Sequence, residues 1–203
     1  MGILISKFNN QNIETCIQAF EKRYAITLPE PYGNFLLKYN GGETPETKFR
    51  IKGVSSDLRG FYGLGRADTY HNFYSLERNG ILAELLKDNM LPIADNMFGD
   101  YIVMGVGAEC LGRIYFYYHD KSKKYIELTE SFESFISKCK SEKIGYIPTI
   151  EERKELMRKL GKGNKITPQK IAGWQAEINE YKNIHQEKLI LDSSGAGKRG
   201  TDH

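Results

Sequence analysis

The strongest constraint on how this chain folds is an abrupt change of composition near residue 150. Of its 24 Phe, Tyr and Trp residues, only Trp174 and Tyr181 come later. Leu, Ile, Val and Phe number 41 in the first 150 residues and nine in the last 53. Because burial of such side chains drives folding, the sequence predicts a folded domain over 1–149, a helical extension over 150–191 and a disordered, Gly- and Ser-rich tail over 192–203.

Several broad classes of protein are disfavoured. No run approaches the length of a membrane-spanning helix, and the N-terminus lacks the pattern of a signal peptide, so we expect a cytoplasmic protein with no membrane partner. The three cysteines and four histidines lack CxxC or HExxH spacing, which argues against a disulfide framework or a metal site. No nucleophile motif or complete nucleotide-binding loop is present, so we expect neither a cofactor nor an enzyme.

Apolar residues at helical spacing predict four helices in the first domain. One begins after Asn12, a candidate cap, and a second begins at Leu28-Pro29 and ends at Asn40-Gly41-Gly42, where a left-handed cap is expected. The third and fourth helices would each bury one apolar stripe against the sheet. Those stripes are Ile81, Leu82, Leu85 and Leu86, and Phe132, Phe135, Ile136 and Cys139.

Strand-like runs fill the space between these helices. Phe49–Ile51 and Phe61–Leu64 indicate two strands separated by a turn around Asp57 and Gly60. Four further runs, separated by turn residues, indicate a meander over 91–128. The sequence therefore predicts an α+β fold: an antiparallel sheet with its helices packed mainly on one side, followed by the C-terminal helical extension.

The extension itself is predicted to form two helices, over Glu151–Leu160 and from Thr167-Pro168 onward. In the second, Ile171, Trp174, Ile178 and Tyr181 form an apolar seam that one helix cannot bury alone. Two interpretations remain open: the seam folds back onto the first domain, or it contacts a partner or a second copy of the chain.

A set of motifs across residues 10–140 resembles the SUKH superfamily of Smi/Knr-type proteins in order and spacing. The motifs are Leu28-Pro29, Tyr32, Phe35-Leu36, Asn40-Gly41-Gly42, Leu91-Pro92-Ile93-Ala94, Gly99-Asp100, Gly112-Arg113-Ile114-Tyr115, His119-Asp120 and the closing helix from Phe132. The resemblance implies binding in place of catalysis. Bacterial members are mostly immunity proteins that neutralise a cognate toxin, often a nuclease, whereas fungal members are regulatory scaffolds. It supplies no catalytic or contact residue.

Candidate contact residues come from strand periodicity. In Arg113–His119, alternation places Tyr115, Tyr117 and His119 on one face. With Glu43, Asp57 and Asp68 on nearby polar loops, these rings would form a mixed aromatic and acidic surface, suited to a basic nuclease. The alternative is that the rings pack beneath a loop or the C-terminal helix.

Three functional hypotheses follow, in order of preference. The first is an immunity protein that occludes a toxin domain, and the second is a regulatory scaffold of the fungal kind. The third is nucleic-acid binding through the C-terminal helices, where the whole charge surplus lies. That surplus is only +3, so a nucleic-acid partner is the least favoured of the three.

Overall fold

Seven α-helices and nine strands make up the described part of the computed structural model, which covers residues 2–121 and 124–191. The helices are α1 (Ile13–Tyr24), α2 (Glu30–Tyr39), α3 (Phe73–Arg78), α4 (Ile81–Lys87), α5 (Phe132–Lys138), α6 (Ile150–Lys159) and α7 (Pro168–Tyr181). The strands are β1 (Leu4–Lys7), β2 (Gly42–Ile51), β3 (Val54–Phe61), β4 (Met90–Asp95), β5 (Tyr101–Gly105), β6 (Ile114–Tyr117), β7 (Tyr125–Thr129), β8 (Cys139–Ser141) and β9 (Glu187–Lys188).

All nine strands belong to one antiparallel sheet. Its order is β7-β6-β5-β4-β3-β2-β1-β9, with β8 paired to β2. From β2 to β7, strands that follow one another in the chain are also neighbours in the sheet. The predicted α+β class is therefore confirmed, and the meander extends two strands further towards the N-terminus than the sequence indicated.

Local signals place the helix ends well. Helix α2 starts with a proline in its first turn and ends at Asn40, whose φ of 52° gives the predicted left-handed cap. Ser131 caps α5, since its Oγ accepts the N–H of Ser134 at 3.1 Å. Asn12 does precede α1, but its φ is 60° and its side chain makes no capping hydrogen bond.

The predicted turn around Asp57 and Gly60 is wrong, because both residues lie inside β3. The chain reverses instead at Lys52-Gly53, where φ is 47° and 84°. Two successive positive φ values match the right-handed twist of a two-residue hairpin. Helix α3, which directly precedes α4, was not predicted.

The two faces of the sheet are buried to different extents. One face meets α1, α2 and α5 in the main core, where Phe35 lies 5.1 Å from Phe61 and 5.3 Å from Phe132 between ring centroids. The other face, which we call the outer face, carries a smaller cluster of Leu85 from α4, Val103 and Tyr117. Helix α4 thus covers only part of the outer face.

The described chain divides into two compact units, residues 2–143 with 186–191 and residues 144–185. We refer to them as the sheet unit and the helical unit. The sequence predicts the division at 149/150 and places residues 186–191 in the extension; in the structure these residues belong to the sheet unit, where β9 pairs with β1 and Leu189 is buried in the main core. Such long-range pairing leaves no trace in local composition. The predicted disordered tail, 192–203, lies outside the described residues.

Candidate partner-binding surface

The turn between β4 and β5, residues 96–100, presents two large apolar side chains to solvent. These side chains are Met97, which is 74% exposed, and Phe98, which is 75% exposed. Large adjacent apolar side chains at this exposure are unusual enough to indicate a contact surface when the backbone beneath them is fixed.

Buried polar side chains fix that backbone. Asn96 is buried, and its Oδ1 accepts the N–H groups of Phe98 and Asp100, each at 2.9 Å. Its Nδ2 donates to Ser56 Oγ at 3.1 Å and to Asp100 Oδ2 at 3.2 Å. Glycine at position 99 allows the φ of 85° that closes the turn. The result is a rigid frame beneath an apolar tip.

Two of the predicted contact residues meet at this turn. Asp57 Oδ2 accepts the N–H of Met97 at 3.0 Å. His119 lies on the other flank, where its ring Nδ1 is 2.8 Å from Asp100 Oδ1 and its backbone N–H donates to the same oxygen at 3.2 Å. Both residues therefore support the turn, and His119 remains half-exposed beside it.

A groove of about 400 Å³ opens in the sheet unit beside α3 and the start of β5. We call it the tyrosine groove, and its lining is Tyr62, Asp68, Thr69, Tyr70, Ser75, Leu76, Asn79 and Tyr101. Asp68, a predicted contact residue, is exposed there and accepts the N–H of Tyr70 at 2.8 Å. Tyr70 itself is 54% exposed, so its ring is available to a partner.

Arg59 joins the groove to the turn. Since Asp57 and Arg59 are two residues apart on β3, their side chains share a face of the strand. The guanidinium of Arg59 lies 4.6 Å from the centre of the Tyr70 ring, and its Nη1 donates to Tyr70 Oη at 2.8 Å. One face of β3 thus carries both the Arg59 cation, which contacts the Tyr70 ring at the groove, and the Asp57 carboxylate at the turn; we call these residues, with the tip, the strip.

A buried polar network underlies this strip. His71 Nε2 lies 3.0 Å from Asp95 Oδ1, and the hydroxyl of Tyr62 donates to Asp95 Oδ2 at 3.4 Å. Burial, aided by the nearby Asp95 charge, raises the pKa of Tyr62 far above its ordinary value, so its hydroxyl stays protonated. A side chain at Gly60 would place its Cβ 2.8 Å from the His71 ring. These groups are enclosed by packing and serve to hold the outer face together.

The remaining predicted residues do not join the surface as expected. Tyr117 is only 5% exposed, because Leu85 of α4 packs against it. Tyr115 is half-buried against the same cluster. Glu43 lies within β2 opposite Gly60, not on a loop. Tyr117 is covered by α4, whereas the alternative expectation placed the rings beneath a loop or the C-terminal helix.

Asp100, His119 and Asp120 have ligand atoms within 4.8 Å of one another. The two hydrogen bonds between Asp100 and His119 account for much of this proximity. The expectation that the chain holds no metal and catalyses no reaction stays a prediction.

Sequence reasoning missed the apolar tip. Asp95, Asn96 and Gly99 mark this segment only as a reversal, because Asp, Asn and Gly favour turns, and that pattern says nothing of Met97 and Phe98. Their presence was itself the available signal, since turns at a protein surface rarely carry two large apolar residues together.

Comparison with known proteins gives one family. A sequence model of the SMI1 / KNR4 family (SUKH-1) matches residues 14–138, which include the turn and the tyrosine groove. No curated protein matches the chain. Among the described residues, no helix has the length and apolar character needed to cross a membrane.

Proposed function

The chain belongs to the SMI1 / KNR4 family (SUKH-1), and on that premise we propose that it is an immunity protein. It binds a toxin domain in the cytoplasm of the cell that makes both proteins, covers the toxin's active site by non-covalent contact and catalyses nothing itself. Membership of the family favours a protein as the partner, and the resemblance noted above favours a toxin.

The observation that carries the proposal is the strip of exposed side chains from the tyrosine groove to the β4–β5 turn. Tyr70, Met97 and Phe98 are all more than half exposed, while the polar groups beneath them are engaged in internal hydrogen bonds. Aromatic and methionine side chains are the types enriched in protein interfaces. A preformed surface of this kind suits recognition, since few side chains need to be ordered on binding.

Charge favours a basic partner. Asp57 and Asp68 lie along the strip and supply its negative charge. Toxins that cleave nucleic acids need positive charge to bind phosphates. Complementary charge between such a nuclease and this surface would accelerate association.

The proposal predicts that a gene adjacent to that of this chain encodes a toxin, and it is tested with the domain of that toxin purified with an inactivating substitution. We expect a stable complex with the wild-type protein, and we expect co-expression to protect cells from the active toxin. Tyr70→Ser should weaken the complex about tenfold or more, because it removes a half-exposed ring from the groove.

Leu111→Ser is the matched control for the groove variant. Leu111 is also 54% exposed but lies in the β5–β6 connection, at the opposite end of β5 from the β4–β5 turn. Its replacement should leave affinity within about twofold. Protection that persists when the complex is abolished would contradict occlusion, and absence of any complex with the wild-type protein would overturn the proposed function.

A further inference from the structure

We infer that Met97 and Phe98 are the anchor of this interface: both side chains enter an apolar pocket of the toxin domain whose rim carries Lys or Arg. The inference rests on the proposed function, and it adds which residues dominate the affinity and what chemistry the partner presents. It follows from the exposure, the rigidity and the electrostatic surroundings of the β4–β5 turn.

The tip has no evident packing role within the protein. Met97 and Phe98 are each about three-quarters exposed, and Phe98 makes no aromatic ring contact with any described residue. The neighbouring residues Asn96 and Asp100 are buried. The turn therefore directs its polar side chains inward and its apolar ones outward, the reverse of the usual arrangement at a protein surface.

The frame beneath the tip is more elaborate than a hairpin needs. Two residues are enough to connect antiparallel strands, whereas this turn engages the backbone N–H groups of Met97, Phe98 and Asp100 with carboxylate or amide oxygens. A fixed backbone lowers the entropy lost when the two side chains become ordered against a partner. Residues that dominate binding energy are commonly large side chains held in this preorganised way at a well-packed contact.

The surroundings of the tip are acidic. Asp57 contacts Met97, Asp100 closes the turn, and Asp120 lies close to Asp100 and His119. Asp100 is buried and paired with His119, whereas among the described residues the carboxylates of Asp57 and Asp120 form no ion pair with a lysine or arginine. An apolar tip flanked by the carboxylates of Asp57 and Asp120 is complementary to an apolar pocket with a basic rim.

The tip is continuous with the tyrosine groove. Asp57 supports Met97 and shares its strand face with Arg59, which contacts Tyr70 at the groove. A partner seated on the tip would therefore extend over the groove, and the two elements would act as one contact surface with the tip as its anchor.

The test measures affinity for the inactivated toxin domain by calorimetry, at matched salt, for the wild-type protein and single variants. Phe98→Ser should lower the affinity about 30-fold or more, the effect expected when a dominant contact is truncated. Met97→Ser should lower it about tenfold, and Leu111→Ser, a similar change at the opposite end of β5, by less than about twofold. Thermal melting checks that all variants remain folded, which the exposure of these side chains favours.

Charge is tested separately with Asp57→Asn and Asp120→Asn. Each should slow association and reduce its dependence on salt, because the basic rim loses an attracting charge.

If the wild-type protein binds but Phe98→Ser and Met97→Ser bind equally well, the inference is overturned while the proposed function stands. If the wild-type protein forms no complex, the proposed function fails first. If Phe98→Ser and Met97→Ser lose no more affinity than Leu111→Ser does, an anchor at this turn is also refuted.

Discussion

The sheet unit and the helical unit differ in what holds them together. The sheet unit buries more than thirty apolar side chains, most of them in one continuous cluster. In α6 and α7, every residue of which is described, no side chain is buried. The difference in composition on either side of residue 150 is thus also a difference in the physical basis of stability, because apolar burial contributes about 25 cal/mol per Å² and polar surface contacts contribute far less.

The helical unit is held by end caps and by ion pairs at its surface, of which the Arg153–Glu177 pair joins α6 to α7. Thr149 and Glu152 form a reciprocal capping box at the start of α6. Arg153 of α6 donates to both carboxylate oxygens of Glu177 in α7, at 2.6 and 3.0 Å, and lies 6.0 Å from the centre of the Trp174 ring. Solvent screens such exposed contacts, and each stabilises far less than a buried apolar side chain does, so we expect this unit to open before the sheet unit does.

Removing one aromatic ring from each unit gives the largest contrast. Phe35→Ala empties a site ringed by Tyr32, Phe61 and Phe132, and should lower the free energy of unfolding of the sheet unit by about 3–5 kcal/mol. Trp174→Ala removes a half-buried ring and should lower the free energy of unfolding of the helical unit by less than about 1 kcal/mol. Urea unfolding followed by far-ultraviolet circular dichroism measures both. Equal losses would contradict the distinction between the units.

A smaller effect should follow from a polar change within the sheet unit. The buried Asn40 side chain donates to the carbonyl oxygens of Asn9 (2.6 Å) and Leu64 (2.9 Å) and accepts the N–H of Leu64 at 2.8 Å. Asn40→Gly keeps the positive φ available but leaves these backbone groups unpaired. It should lower the free energy of unfolding of the sheet unit by about 3 kcal/mol.

The control for this change is Asn10→Ala, which alters an exposed asparagine whose amide donates to the Leu37 carbonyl at 3.2 Å. Its expected cost is below about 0.5 kcal/mol. Equal unfolding midpoints for the two variants would mean that apolar burial alone accounts for the stability of the sheet unit, and that its buried hydrogen bonds add nothing.

Much of this fold was predictable from sequence because the signals were local. The ends of α2, the cap at Ser131 and the meander from β4 to β7 each follow from residues adjacent in the chain. β9 was missed because two polar residues form a strand only where β1 offers an edge. The hairpin at Lys52-Gly53 was misplaced because the interior of β3, from Ser55 to Asp57, is as polar as a turn.

The candidate surface was predicted only in part for a related reason. Alternation along β6 correctly grouped Tyr115 with Tyr117, but periodicity identifies a face without showing what covers it, and α4 covers Tyr117. Asp57 and His119 were selected as surface residues, yet only the folded chain brings both to the β4–β5 turn. Met97 and Phe98 lie between polar residues, so they belong neither to the two-residue apolar period of a strand nor to the 3.6-residue period of a helix.

The smallest expected effect is an acid-induced loosening of the helical unit. Hydrogen bonds from Tyr146 and from the backbone and side chain of Thr149 lower the pKa of Glu152, and the hydrogen bond from Arg153 lowers that of Glu177. A lowered pKa in the folded state means that the unfolded chain binds more protons, so this stabilisation is present above the ordinary Glu pKa of about 4.3 and is lost as the pH falls through the lowered value. Relative to the intrinsic exchange rate at each pH, the protection of amides in α6 should therefore fall below about pH 4, while the protection of amides in β4 and β5 is retained. Glu152→Gln should raise exchange in α6 at neutral pH and flatten its acid response; an unchanged response would show that the capping box does not govern the opening of this unit.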